Sequence, residues 1–143
     1  MLRRIDMLRR WEHQYVREQL RELALFPAEG VLLRLLDQPE PMRQEELAAA
    51  TAIDKSGVAR LVARLEEEGL ILRQISPQCR RVKLVRLTEK GRQTAAQINR
   101  ILEQWEDICY QGFTPEERSM NQNFLERIVK NAMDYRQGER EHG

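Results

Sequence analysis

The sequence predicts a mainly α-helical fold that carries one small β-hairpin. Apolar residues recur at helical spacing through most of the chain. Two short runs of branched aliphatic residues, at positions 70–75 and 82–87, are separated by a turn that opens with Ser-Pro, and this pattern is typical of a hairpin. The length of 143 residues suits one domain that buries its own core.

Four helices are predicted before the hairpin. Residues 3–22 carry apolar side chains at helical spacing, and a second helix starts at Pro27, where the missing N–H breaks no hydrogen bond. The prolines of segment 37–41 end that helix. A third helix over 44–50 and a turn lead to Asp54, which is a good N-cap for a fourth helix. The core face of the fourth helix consists of Val58, Leu61, Val62 and Leu65.

Two more helices are predicted after the hairpin. Thr88 caps a fifth helix that extends to about residue 110, and its apolar stripe predicts that Cys109 is a small core residue. A capping box from Thr114 to Glu117 starts a sixth helix. Residues 138–143 are predicted to form a polar tail.

Charge is unevenly distributed along the chain. The net charge is only +1, but residues 69–88 contain no acidic side chain. A basic strip on a near-neutral protein indicates a site for a polyanion, and a solvated, arginine-rich hairpin is the alternative. Arg81 and Lys83 alternate with apolar residues and predict a basic face on the second strand, although the alternation slips at Val85. The strip consists of Arg73, Arg80, Arg81, Lys83 and Arg86.

The composition argues against membrane, metal and enzymatic functions. The apolar runs are too short for a transmembrane helix and the N-terminus does not have the pattern of a signal peptide, so we expect a cytoplasmic protein without a membrane partner. Two cysteines predict reduced thiols, and two histidines supply a metal site poorly. The acidic residues fall on polar helix faces, and no glycine-rich phosphate loop is present in the sequence. We therefore expect no enzymatic activity, no cofactor and no metal.

The third and fourth helices, with the short turn between them, are typical of a helix-turn-helix. The fourth would be the recognition helix, because a helix fits the major groove of B-DNA and its first turns reach base edges. Arg60 can pair with guanine through two hydrogen bonds, and Gly57 would let the backbone approach the DNA. An ordinary solvated helix face is the alternative. The candidate DNA contacts on this helix are Lys55, Ser56, Gly57, Arg60 and Arg64.

The hairpin after the recognition helix would form a wing. Its tip arginines can reach an adjacent minor groove, while Arg73 and Lys83 would lie near phosphates. The candidate DNA contacts on the wing are Arg73, Gln78, Arg80, Arg81 and Lys83.

Residues 46–73 and 79–91, the second run closing with Leu-Thr-Glu-Lys-Gly, resemble the MarR family of winged helix-turn-helix regulators. The resemblance implies a homodimer, built by the N- and C-terminal helices, on a pseudo-palindromic operator in double-stranded DNA. It also places the arginine of the family's Asp-x-Arg wing motif on Arg81. The implied regions of the single domain 1–143 are a winged helix-turn-helix lobe at 27–92, dimerisation helices at 1–24 and 93–137, and the tail at 138–143.

The sequence departs from the family pattern at two positions. Cys79 stands where the wing motif has Asp, which leaves Arg81 less restrained, so that either the affinity is lower or Arg80 shares its role. A thiol beside two arginines suggests a redox switch, and simple drift at an exposed position is the alternative that we favour. Phe26 stands where a Ser or Thr cap is expected, so the second helix is less well capped.

We therefore expect a homodimeric, sequence-specific regulator of transcription that acts as a repressor. A winged-helix module that binds proteins and has no DNA affinity is the alternative, and only DNA binding should weaken steeply with salt. The resemblance also implies a small-molecule effector. The candidates to line its pocket are aromatic, and packing between helices is the plainer interpretation of the same residues. They are Trp11, Tyr15 and Trp105.

Overall fold

The computed structural model describes the backbone of residues 1–142 and the side chains of residues 1–139. The helices and strands of this part of the chain are α1 (Leu2–Glu22), α2 (Pro27–Leu35), β1 (Met42–Arg43), α3 (Gln44–Thr51), α4 (Lys55–Glu67), β2 (Ile71–Ile75), β3 (Lys83–Leu87), α5 (Glu89–Cys109) and α6 (Pro115–His142). The mainly helical fold class with a hairpin is thus confirmed. Within these residues, no helix combines the length and the apolar character needed to pass through a bilayer.

The hairpin strands are joined by a third strand that the sequence did not predict. The strand β1 pairs antiparallel with β3, so that β3 lies at the centre of a three-stranded sheet within the described residues. Met42 lies opposite Val85 and Arg43 lies opposite Leu84. A strand of two residues has no periodicity of its own, and only its approach to β3 defines it.

Alternation along β3 accounts for the slip at Val85. Val85 and Leu87 are buried, whereas Arg86 between them is exposed. Since successive side chains of a strand point to opposite faces, Lys83 shares the face of Val85 and Leu87, at the end of the strand beyond the core. The predicted basic face is therefore the same face of the sheet that packs on the core. Near the turn, where the core no longer covers it, this face is exposed to solvent. Arg81 lies in the turn before β3 and not in the strand.

Residues 1–105 form one compact unit around a single apolar core. The predicted core face of α4 is confirmed for Val58, Val62 and Leu65, while Leu61 is half-buried. The helices α1, α2, α3 and α5 and the strands β2 and β3 supply the rest of this core. Its other buried members include Leu20, Leu32, Leu33, Leu47, Ile71, Val85, Ala95 and Ile98.

The start of α5 is fastened to the start of the wing. The Thr88 hydroxyl donates to the carbonyl of Gly69 at 2.6 Å and accepts the N–H of Gly91 at 3.0 Å. Gly69, at φ +74°, follows α4 in the left-handed conformation that glycine favours. A Cβ at Gly91 would lie 2.0 Å from the carbonyl oxygen of Leu70, so this crossing of backbones requires glycine.

Residues 106–142 form a second unit, in which the predicted capping box is confirmed. The Thr114 N–H donates to Glu117 Oε1 at 2.9 Å, and the Glu117 N–H donates to Thr114 Oγ1 at 3.1 Å. Arg118, one residue later, contacts Asp107 at 2.8 Å and Glu106 at 3.0 Å. These contacts fix the turn that leads from α5 into α6.

Three expectations about burial and helix ends are wrong. Cys109 is exposed, because the buried stripe of α5 ends at Ile101. Residues 138–142 continue α6 and are not a tail, since they contain good helix formers and no proline, while Gly143 lies outside the described residues. The acidic residues do not all lie on polar faces, because Glu29 is fully buried.

Candidate nucleic-acid interface

The first turn of α4 is organised by the side chain of Asp54. Its Oδ1 accepts the N–H of Gly57 at 2.8 Å, which confirms Asp54 as the N-cap. A Cβ at Gly57 would lie 2.6 Å from that same oxygen and 2.8 Å from Cγ2 of Ile53. A larger residue at this position would therefore displace the capping carboxylate of Asp54 or the side chain of Ile53.

The predicted contacts that follow the cap point into solvent. Lys55 and Ser56 are exposed, with Lys55 Nζ 3.9 Å from Glu45 Oε1 and the Ser56 hydroxyl donating to Asp54 Oδ2 at 3.3 Å. Arg60, one turn later, is exposed and makes no ion pair with any described residue. This face of α4 is thus open to a ligand.

Arg64, on the last turn of α4, is engaged within the protein. Its Nη1 donates to the buried carboxylate of Glu29, and its Nη2 donates to the carbonyl oxygen of Ala24 at 3.2 Å. The guanidinium carbon lies 4.9 Å from the centre of the Phe26 ring. The structure therefore separates Arg64 from the open face that carries Arg60.

The tip of the wing is exposed. The Ser76 N–H donates to the Val82 carbonyl at 2.9 Å, and the Val82 N–H donates to the Cys79 carbonyl at 3.0 Å, which closes the turn. The predicted contacts that this turn presents to solvent are Gln78, Arg80 and Arg81. The Cys79 thiol is also exposed.

Arg73 of the wing is held by Glu66 of α4. Its Nη2 and Nε donate to Glu66 Oε1 at 2.9 and 3.2 Å, and its backbone N–H donates to Glu66 Oε2 at 3.2 Å. The hydrogen bonds from Arg73 hold the pKa of the Glu66 carboxyl below its ordinary value, and the charge of Lys83 acts in the same direction. Arg73 thus links α4 to the wing.

One pocket brings together side chains of both predicted contact regions. It has a volume of about 210 Å³ and lies between the starts of α3 and α4 and the turn-side end of β3 in the wing. We call its four cationic side chains the cationic surface. The only acidic residue of its lining is Glu45. The cationic surface consists of Arg43, Lys55, Arg81 and Lys83.

Sequence reasoning missed two residues of the candidate interface and its surroundings. Arg43 belongs to the cationic surface. The signal in the sequence that could have indicated it is its position directly before α3, the first helix of the predicted helix-turn-helix. Glu29 lies three residues after Phe26, the N3 position of a capping box, and its Oε1 accepts the Phe26 N–H at 2.9 Å. The N-terminus of α2 is therefore stabilised by the Glu29 side chain, although it has no Ser or Thr cap.

Of the three aromatic residues predicted to line a ligand pocket, two lie beside each other. The rings of Tyr15 and Trp105 have centroids 5.2 Å apart, whereas Trp11 is 54% exposed. A separate cavity of about 160 Å³ lies between α1, α2 and α5. None of the three aromatic residues belongs to its lining. Its walls include apolar Val16, Leu20, Ile98 and Leu102 and polar His13 and Arg34.

Known proteins resemble this chain in both sequence and fold. Residues 25–83 match the MarR family. The uncharacterized HTH-type transcriptional regulator YybA of Bacillus subtilis (strain 168) is 29% identical over 132 residues, which cover 92% of this chain and 87% of that protein.

Two solved structures extend the comparison. A MarR transcriptional regulator from Methanosarcina mazei Go1 has a TM-score of 0.81 at 27% identity, over 93% of this chain and 96% of that chain. A MarR family transcriptional regulator from Listeria monocytogenes, complexed with a 26mer DNA, has a TM-score of 0.78 at 28% identity, over 94% of this chain and 89% of that chain. The sequence match over residues 25–83 and the shared fold together support the assignment of the chain to the MarR family of transcriptional regulators.

Proposed function

We propose that this protein binds double-stranded DNA in the cytoplasm as a homodimer and represses transcription at the sites that it occupies. The observation that supports this most directly is the cationic surface, in which α4 and the wing contribute to one pocket. The complex of the Listeria relative with DNA supports the same use of the fold.

In this proposal the N-terminal half of α4 enters the major groove. Arg60 is exposed and has no ion-pair partner among the described residues, so its guanidinium is available for the O6 and N7 atoms of a guanine. Ser56, one turn earlier, faces the adjacent base pair. Arg64 and Arg73 are left out of the DNA contacts, because each is held by several hydrogen bonds within the protein. Among the described residues, Arg43 and Lys55 make only longer ion pairs, at 3.5 Å to Glu46 and 3.9 Å to Glu45.

The cationic surface would bind phosphates, which fix the register of α4 without reading sequence. Lys55 and Lys83 are point charges on flexible stems, and Arg43 and Arg81 offer several donors each. Arg80, at the exposed tip, would reach the neighbouring minor groove.

Homodimer formation is supported by the apolar surface of α6. None of its described side chains is buried, although large hydrophobic residues repeat along it. Such a stripe requires a partner, and a second copy of the chain provides an equal stripe. A two-fold pair could set its recognition helices about 34 Å apart, which is one turn of DNA. The exposed stripe includes Phe124, Leu125, Ile128, Val129 and Met133.

We also propose that an effector enters the cavity between α1, α2 and α5. The mixture of apolar walls with Glu12, His13 and Arg34 suits a small and mostly apolar molecule that carries a few hydrogen-bonding groups. The cavity contacts the N-terminal helix, so an occupant could shift the population of dimer spacings and release DNA. Thermal unfolding in the presence of a small-molecule library would identify ligands, and only ligands that also release DNA support this role.

Selection of bound fragments from a random DNA pool tests the main proposal. We expect two inverted half-sites separated by about one turn, and an affinity that falls steeply between low and physiological salt. A reporter gene placed downstream of the selected site should be repressed when the protein is present. Failure to enrich any sequence, or binding that is insensitive to salt, would contradict DNA recognition and favour a module that binds other proteins.

A further inference from the structure

We propose that Arg64 and Glu29 are positioning residues, which set the orientation of the recognition helix without touching DNA. This inference rests on the proposed function, since it concerns how α4 is held for DNA binding. The pair joins the last turn of α4 to the corner between α1 and α2, which we define as residues 23–29.

Arg64 contacts this corner in three ways. It donates to the carboxylate of Glu29 and to the carbonyl oxygen of Ala24, and it covers the ring of Phe26. A planar guanidinium can make all these contacts at once, because its donors form a rigid fork. The corner is itself constrained, since Ala24 adopts φ +56° and the Leu25 N–H donates to the Leu20 carbonyl at 3.0 Å. The C-terminal end of α4 is thereby tied to a fixed point.

The contact between Arg64 and the corner depends on the buried carboxylate of Glu29. The residue is fully buried, and its Oε1 accepts hydrogen bonds from both Arg64 and the Phe26 backbone. Its Oε2 is buried without a partner in the described part of the chain. A buried carboxylate is costly to leave unpaired, so Arg64 is its required counter-ion. A change in either side chain should move the corner or the end of α4.

Movement at this end is transmitted to the face that would read DNA. Ser56 lies about 12 Å along the helix from Arg64, because each residue rises about 1.5 Å. A tilt of about 10° at Arg64 would displace Ser56 by about 2 Å, which exceeds the tolerance of a hydrogen bond to a base. The pair therefore acts on DNA recognition through Ser56 and Arg60.

The test compares wild type, Glu29→Gln, Arg64→Gln and the double variant on the DNA fragment that the wild type selects. The Glu29→Gln substitution keeps an oxygen for the Phe26 N–H and removes the charge. We expect each single variant to bind about tenfold more weakly, and the double variant to bind no more weakly than the weaker single variant. The slope of log affinity against log salt should stay unchanged in all three, because no phosphate contact is lost.

Two results with a DNA-binding wild type would overturn the inference. If Arg64→Gln reduces the salt slope by about one while Glu29→Gln binds like wild type, Arg64 is a direct phosphate contact. If both single variants bind like wild type, the pair does not position α4. By contrast, a wild-type protein that selects no DNA contradicts the proposed function itself, and the inference falls with it.

Thermal unfolding separates positioning from simple stabilisation. All affinities are measured at a temperature at which circular dichroism shows each variant to be folded. The Arg64→Lys variant keeps the positive charge but not the fork, so we expect an affinity between those of wild type and Arg64→Gln. If Arg64→Gln does not fold, the affinities and salt slopes of Arg64→Lys and Glu29→Gln are compared with those of wild type instead. A lower unfolding midpoint with unchanged affinity would show that the pair has only a structural role.

Discussion

Arg73 of the wing and Glu66 of α4 are joined by two guanidinium hydrogen bonds, at 2.9 and 3.2 Å, and by a third from the Arg73 backbone. The charge pattern predicts that Arg73 contacts a phosphate, but in the structure Arg73 connects the wing to α4, the two elements that would bind DNA. These three hydrogen bonds connect the last turn of α4 to the middle of β2. Arg80 and Arg81 at the wing tip remain exposed.

Acid should weaken this link. The hydrogen bonds from Arg73 hold the pKa of Glu66 below its ordinary value of 4.5, so the ionised form is favoured by folding. The stabilisation is fully present above pH 4.5 and is lost as the pH falls through the lowered pKa. It amounts to at most about 1 kcal/mol, because both side chains are partly exposed.

The measurement for this prediction is the thermal unfolding midpoint of wild type and Glu66→Gln between neutral and strongly acidic pH. The difference between the two should be constant above pH 4.5 and shrink below it. Glu67→Gln, an exposed neighbour without an ion pair among the described residues, is the matched control and should show no such difference. A difference that grows in acid would refute the assignment.

Substitution of Arg60 should change which DNA is bound. We expect Arg60→Ala to weaken binding to the selected site by about 1–3 kcal/mol and to relax the base preference at one position of each half-site. Competition with fragments that carry single-base changes measures both effects. Arg17→Ala, which removes an exposed arginine from α1, should leave base preference unaltered. Unchanged operator binding by Arg60→Ala would mean that α4 does not read the groove.

Substitution of Arg81 should act in a different way. Arg81→Ala removes one charge from the cationic surface, so affinity for all sequences should fall by similar factors. The salt slope should fall by about one, since one phosphate contact is lost. Filter binding over a salt series, with selected and random DNA, provides the measurement. A loss confined to the selected sequence would show that Arg81 reads the base pairs or the groove width.

The crossing of α5 over the start of β2 should tolerate no side chain. Gly91→Ala would place a Cβ 2.0 Å from the Leu70 carbonyl oxygen, and we expect a loss of about 3 kcal/mol or more in the free energy of unfolding. Urea unfolding measures it. Gly69→Ala is the control, because its Cβ would meet nothing within 4 Å and only the positive φ would cost about 1 kcal/mol. Equal losses would contradict the close approach.

A charge on the stripe of α6 should prevent self-association. Ile128→Asp places a carboxylate within the exposed apolar stripe and should yield monomers at concentrations at which the wild type is dimeric. Asn123→Asp adds the same charge on the opposite face of α6 and should leave the dimer intact. Sedimentation equilibrium distinguishes these results. A monomeric wild type, or a dimeric Ile128→Asp variant, would count against this interface.

The order and the limits of the main elements could be predicted from the sequence because their signals are local. Asp54 caps α4, Thr114 and Glu117 cap α6, and Pro27 starts α2, in each case within a few residues of the helix that they define. The strand β1 could not be predicted, because two residues carry no period and only β3 gives them partners. The burial of Cys109 was predicted wrongly because a helical stripe shows which residues share a face and not how far along the helix that face is covered.

For the candidate site, too, some features could be predicted from the sequence and others could not. By itself the sequence determined that residues 69–88 hold five basic side chains and no acidic one, and that basic side chains also fall on the exposed side of α4, since spacing and charge are properties of neighbouring residues. Only the tertiary structure decided which of them are available. Arg64 meets Glu29, 35 positions away, and a partner brought together by folding has no signature along the chain. A charged side chain takes its role from the nearest opposite charge and from its access to water, and both are set by packing.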